Sequence, residues 1–221
     1  MLDTISIRKI ITSLMFLSVA LSLGIYWLVT FASQKFSLEP PVDVYWIASS
    51  IVIPFSGVFL YYFDRFIWRY FWRFLHKLRI EVPFPDLNGI WEGQVIFMKK
   101  TEDYEIEGSS NVKVKIKQSL SKIHIDMYNE TSHSFTISAN WQIVAGNKRL
   151  NYVYYTEPKR PDWESYKGFS SFDMEDSTIV KKIQGKYWTT RGTQGQIVLN
   201  RISSKMNEPI FYEDTPVHVA S

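Results

Sequence analysis

The stretch IQGKYWTTRGTQGQIVLNR (Ile183–Arg201) decides how the rest of the chain is read. Side chains alternate along a strand, so Ile183, Gly185, Tyr187, Thr189 and Arg191 fall on one face. Gly192-Thr193-Gln194-Gly195 carries turn residues, and the alternation resumes in GQIVLNRI, which predicts two antiparallel strands around a tight turn. The first row passes from apolar Ile183 through Tyr187 and Thr189 to an arginine. A buried unpaired guanidinium is costly, whereas at the mouth of a barrel it stays solvated and grips an anion through two parallel N–H bonds. Two plainer readings stay open: Arg191 pairs with an acidic side chain, or the strand ends earlier and leaves it exposed.

The same period of two extends back to Asp86. GIWEGQVIFMK places Trp91, Gly93, Val95 and Phe97 on one face. NVKVKIKQ sets Val112, Val114 and Ile116 against Lys113, Lys115 and Lys117, and SKIHIDMYN sets Ile123, Ile125 and Met127 against Lys122, His124 and Asp126. SHSFTISANWQIV gives Phe135, Ile137, Ala139, Trp141 and Ile143 a common face, and KRLNYVYYT, YKGFSSFDM and STIVKKIQGKYWTTR follow. With GQIVLNRI these are eight strands joined by short turns. The predicted fold class is an all-β domain, a minimal eight-stranded antiparallel up-and-down barrel of lipocalin-like form over residues 86–203. A β-sandwich is the structural alternative. Residues 204–221 have no clear period and read as a C-terminal tail.

The first 64 residues read differently. Ile10–Phe31 carries no charge and is long enough to cross about 30 Å of hydrocarbon at 1.5 Å per residue. Val44–Phe63 is a second apolar run, with Pro54 inside it. Two transmembrane helices, about 10–31 and 44–63, are therefore expected, a signal peptide being the alternative for the first run. Residues 65–85 read as a basic helix and linker in which Arg65, Arg69, Arg73 and Lys77 recur every four residues and would contact a membrane surface. The prolines of VPFPDLNG end that helix. Positive flanks place both termini and the barrel in the cytoplasm of a multi-pass membrane protein, which the resemblance given below makes a bacterial inner-membrane protein.

Charge and motifs narrow the function classes. Residues 1–85 hold eight Lys or Arg against five Asp or Glu, whereas residues 86–221 hold seventeen of each. A neutral barrel offers no basic slab for duplex nucleic acid. With no cysteine and four dispersed histidines (His76, His124, His133, His218), neither disulfides nor a thiolate or His-pair metal site is expected. Phosphate-cradling, nucleophile-elbow and zinc-protease motifs are absent, and His133-Ser134 should point to opposite faces of a strand. The acidic FDMEDST reads as a solvated turn. No catalytic residue, metal or cofactor is assigned, and the expectation is a protein that is not an enzyme.

Aromatic residues on the inward rows are the remaining signal. Trp91, Trp141, Tyr152, Tyr154 and Tyr187 face the interior by parity. Core packing explains each singly, but several tyrosines and tryptophans together need polar partners, which a wet interior supplies. With Thr189 and Arg191 they form the candidate ligand-binding set, aromatic faces for bases and an arginine for phosphate, on the scale of a nucleotide.

The order of two apolar spans, a basic linker and a minimal barrel opening with DLNGIWEGQV and closing with GKYWTTRGTQGQIVLNR resembles the transmembrane effectors of CBASS anti-phage systems, the cyclic-nucleotide-synthase-associated effectors. GIW is also reminiscent of lipocalin first strands. The CBASS resemblance implies a cyclic dinucleotide second messenger made by a partner CD-NTase, homo-oligomerisation on binding, and inner-membrane disruption ending in cell death or growth arrest. A membrane-tethered lipocalin-like carrier or sensor of a small hydrophobic ligand is the rival reading.

Overall fold

A computed structural model of the chain describes residues 57–80, 82–100, 105–174 and 180–204, with isolated positions at 3–4 and between 12 and 54. The chain divides into two compact units, Ser6–Phe71 and a second comprising Met1–Ile5 and Trp72–Ser221.

The second unit carries the strands: β1 (Asp3–Thr4), β2 (Gly89–Lys100), β3 (Glu105–Gln118), β4 (Ile123–Tyr128), β5 (Ser132–Val144), β6 (Asn147–Pro158), β7 (Tyr166–Met174), β8 (Lys182–Thr189) and β9 (Thr193–Ser203). From β2 to β9 each strand pairs antiparallel with its chain neighbours, and β9 returns to β2 with Val95 opposite Ile197, so the meander closes on itself. The expected eight-stranded up-and-down barrel is thus the observed fold. Closure removes the sheet edges that an open meander would expose. The alternation of β3 holds, with Val112, Val114 and Ile116 buried inside the barrel. β1 adds a short pair at the far end of β5, Asp3 opposite Ile143.

β5 departs from the sequence reading. The register shifts between Thr136 and Ser138, a bulge that puts one extra residue into the strand and reverses its parity. Trp141 remains buried, but Ile137 is 52% exposed and Phe135 turns outward onto Tyr155, ring centroids 5.5 Å apart. The five residues expected on one face therefore occupy two. The Thr136 hydroxyl accepts from Ile125 N at 2.8 Å and donates to Ile125 O at 3.0 Å, replacing a backbone rung between β4 and β5.

One end of the barrel is plugged by the segment that precedes β2. Val82, Phe84 and Leu87 are buried there. Gln118 holds the plug by its amide, accepting from Leu87 N at 2.8 Å and donating to Pro85 O at 3.1 Å. Asn88 reciprocates, accepting from Gln118 N at 2.7 Å and donating to Gln118 O at 3.0 Å. Gly89, at φ +140°, is required because a Cβ would lie 2.2 Å from Ser203 O. Gln118→Ala strands two buried backbone groups of the plug, and each costs about 1–3 kcal/mol to leave unpaired. We expect a loss of about 2–3 kcal/mol in urea unfolding, and a loss under 0.5 kcal/mol would mean that the amide does not hold the plug.

Before the plug, a π-helical turn (Phe63–Ile67) leads into α1 (Trp68–Lys77). α1 ends where Ile80 N bonds Leu75 O at 3.0 Å and Arg79 takes a left-handed φ of 59°, a Schellman-type stop. Arg65, Arg73 and Lys77 are exposed and Arg69 is half-buried. The expected spans at 10–31 and 44–63 lie largely outside the described residues, as do 205–221 of the tail. The expected multi-pass inner-membrane location is corrected: among the described residues no helix is long and apolar enough to cross a membrane. The physical reason in the continuous helical stretch, 57–77, is charge. Asp64, Arg65, Arg69, Arg73 and Lys77 lie within it, and each is expensive in hydrocarbon.

Candidate functional site

The inward rows divide between the two ends of the barrel. At the plugged end Trp91 is fully buried, and its Nε1 donates to Leu87 O at 2.9 Å. The arginine on the inward row is Arg201, two residues beyond Leu199. Its guanidinium stands 5.5 Å from the Trp91 ring centroid and donates to the carbonyls of Asp86 and Asn88. Trp141 stacks on Phe84 with centroids 5.6 Å apart and planes at 12°. Both tryptophans of the candidate set therefore lie at the plugged end with ring faces against Arg201 and Phe84, apart from the tyrosines.

The tyrosines lie toward the other end, where the β4–β5, β6–β7 and β8–β9 turns gather. Register puts Ser170 between Tyr152 and Tyr187, and Gly168 between Tyr154 and Thr189. Gly168 makes room for Tyr154, since a Cβ there would come 2.2 Å from its ring. Tyr152 stacks on Phe172 at 5.6 Å and leans on Tyr154 at 5.3 Å. Beside them the Ser134 and Thr156 hydroxyls bond each other at 2.8 Å, while the fully buried Ser170 Oγ has no well-formed hydrogen bond. Burial holds the Tyr152 and Tyr154 phenols well above the ordinary range, with the nearby Ser170 hydroxyl opposing in part; neighbouring phenols raise Tyr154 further. Burial, then Tyr166, pushes Tyr187 up to about 12. At neutral pH this is a floor of uncharged hydroxyl donors.

Arg191 stands outside that row. β8 ends at Thr189, and Arg191 sits exposed in the β8–β9 turn, where Gly192 takes φ +76° and its N–H bonds Thr189 O at 3.1 Å. Its Nη2 donates to the Glu164 carbonyl, and its guanidinium lies 4.4 Å from the Tyr166 ring centroid. Thr189 Oγ1 donates to Thr193 O at 3.3 Å. The turn is tied to β7 by Thr190, whose N–H and hydroxyl both donate to Lys167 O, at 2.9 and 3.2 Å. Of the plainer readings of Arg191, the earlier strand end is the one observed, and its place at the barrel rim remains.

The candidate set omits Tyr166, although alternation in YKGFSSFDM puts it in phase with Gly168 and Ser170, and it omits the β6–β7 loop, KRPDWES. The loop has no period to read, and only its mixture of cations and an aromatic around Pro161-Asp162 marks it. In the acidic FDMEDST, Asp173 pairs with Arg149 at 2.7 Å; Glu175 and Asp176 lie outside the described residues. A groove of ≈ 630 Å³ crosses the outer wall of β3, β2 and β9, lined by outward-facing Glu92, Gln94, Asn111, Lys113 and Asn200 with Glu130. Lys113 is held by Glu92 at 3.3 Å, so two carboxylates outweigh one engaged lysine, and the groove is poorly suited to an anion. Arg191, set over Tyr166, lies at the barrel end away from the plug.

A closed barrel plugged at one end, with tyrosine hydroxyls and Arg191 toward the other, is of the class of small barrels that can hold one small ligand. A family model described as Cap15, cyclic dinucleotide receptor domain, matches residues 82–201, and the chain belongs to that family. The matched span opens at the plug and ends at Arg201. The chain is also similar to the CD-NTase-associated protein 15 of Staphylococcus schleiferi, with 26% identity over 140 residues, covering 63% of this chain and 71% of the relative. The resemblance to CBASS effectors with a minimal barrel is borne out.

Proposed function

We propose that the barrel is the sensor of a CBASS effector, binding a cyclic dinucleotide made by a partner CD-NTase. The phosphates lie against Arg191, above the hydroxyls of Thr189, Tyr187, Tyr154 and Tyr152. The observation that supports this reading is the Arg191–Tyr166 pair lying toward the same barrel end as the uncharged tyrosine donors, away from the plug. A guanidinium parked on a ring is partly desolvated and still has N–H groups for an anion, and the neutral phenols add donors without repelling it. Trp91 and Trp141 serve the plug. Occupancy then biases self-association, to the extent that assembled copies hold the ligand more tightly, tenfold for each 1.4 kcal/mol or so.

Calorimetric titration of the full chain with a panel of cyclic di- and trinucleotides tests this. We expect one dinucleotide to bind, and Arg191→Ala to weaken it at least tenfold, about 1.4 kcal/mol. Binding indifferent to the substitution would keep the receptor and discard Arg191. A folded chain that binds none of the panel would end the reading.

A further inference from the structure

We infer that the β6–β7 loop supplies the second half of the ligand site, with Arg160 as a second phosphate contact and Trp163 as a base platform. The inference rests on the cyclic dinucleotide reading above and adds residues to it. Arg191 is already joined to this loop through the Glu164 carbonyl and covers Tyr166 where the loop enters β7. Four residues before Glu164 the same arrangement recurs, with the Arg160 guanidinium 5.3 Å from the Trp163 ring centroid. The loop is held in shape by Lys159 N on Thr131 O at 2.8 Å and by Trp163 N on Arg160 O at 3.2 Å. Its functional side chains stay accessible. Trp163 is 41% exposed, and the Arg160–Asp162 ion pair, 3.6 Å long, joins side chains 63% and 66% exposed.

The stoichiometry of the ligand favours this pairing. A cyclic dinucleotide presents two phosphates and two bases, while Arg191 of the β8–β9 turn and Tyr166 of β7 offer one guanidinium and one ring. The loop doubles both. An exposed ion pair contributes little to folding, so Asp162 gives up Arg160 to a phosphate at small cost. A tryptophan left 41% exposed in a polar loop gains further burial and stacking if a base covers it.

The test uses the full chain and cyclic di-adenylate, cyclic di-guanylate and cyclic guanylate-adenylate. We expect Arg160→Ala and Trp163→Ala each to weaken the bound dinucleotide at least fivefold, and Trp163→Phe to retain most of the affinity. Arg160→Lys should recover less than half of the lost binding energy, because an ammonium lacks the planar fork. The Arg160→Ala/Arg191→Ala double variant should lose about the product of the two single effects, as separate phosphate contacts require. Unchanged thermal unfolding of all variants shows that the loop, not the barrel, was altered. If the wild type binds a dinucleotide and the loop variants bind it equally well, the inference is overturned and the receptor stands. If the wild type binds none, the receptor reading fails and the inference with it.

Discussion

Trp91→Ala is expected to cost the barrel about 4 kcal/mol, moving its urea midpoint down with little change in slope. Trp91 is the largest fully buried side chain among β2–β9 and sits where the plug, β2 and β9 meet. Truncation does three things together. It opens a cavity on the scale of an indole, it leaves the Leu87 carbonyl without its donor, and it uncovers the guanidinium of Arg201. Trp91→Phe separates these effects, because it keeps a ring beneath Arg201 and loses only the Nε1–H bond and some volume. We expect it to cost about 1–2 kcal/mol. Far-UV circular dichroism in urea gives both numbers. A cost below 1.5 kcal/mol for the alanine variant would show that the plugged end does not stabilise the barrel and would leave Trp91 available as a ligand contact.

The burial of Trp91 was readable from alternation in GIWEGQV, but its place at the plugged end was not. Parity says only that a residue points inward. It does not say which end of a closed barrel the residue occupies, because that depends on strand tilt and on the segment that fills each end. So Trp91 and Trp141 entered one set with the tyrosines, although Phe84 and Arg201 lie against their ring faces at the far end. The plug itself was visible only as a helix stop in VPFPDLNG. The long-range amide exchange between Asn88 and Gln118, thirty positions apart, has no local signature.

Arg191 and Arg201 illustrate the limit in another way. Both continue an inward row by counting twos. β8 stops at Thr189, so the count fails for Arg191, while β9 runs to Ser203 and the count holds for Arg201. A strand that ends two residues early changes a lumen residue into a rim residue, and the turn glycine Gly192 was the available warning. The bulge in β5 is a similar case, since one additional residue after Thr136 moves Ile137 from core to surface. Closure, strand number and most of the core were legible because they rest on sums over many alternating positions. The proposed site was only partly legible because the residues proposed for it lie at strand ends and in the aperiodic loop that carries Arg160 and Trp163.

The barrel should also lose stability steeply above pH 10, in a way that reports the tyrosine floor directly. Tyr152 and Tyr154 are buried phenols whose pKa values burial raises well above that of a tyrosine in the unfolded chain, 10.0. Below pH 10 both states keep these protons, and the titration contributes nothing. As pH rises past 10, the unfolded chain releases them while the folded barrel retains them, so the unfolded state binds fewer protons and stability falls. Each retained proton costs about 1.4 kcal/mol per pH unit, so two tyrosines remove about 3 kcal/mol per unit, or about 4 kcal/mol by pH 11.5. Tyr187, pushed up to about 12 and nearer the open end, steepens the fall in the same direction. The measurement is urea unfolding at intervals from pH 8 to 11.5. The double variant Tyr152→Phe/Tyr154→Phe should lose most of the slope while keeping its rings and its stacking on Phe172. An unchanged slope in that variant would mean that other groups drive the alkaline transition. A wild-type barrel indifferent to pH up to 11.5 would mean that water reaches the phenols and that the floor is an open chamber.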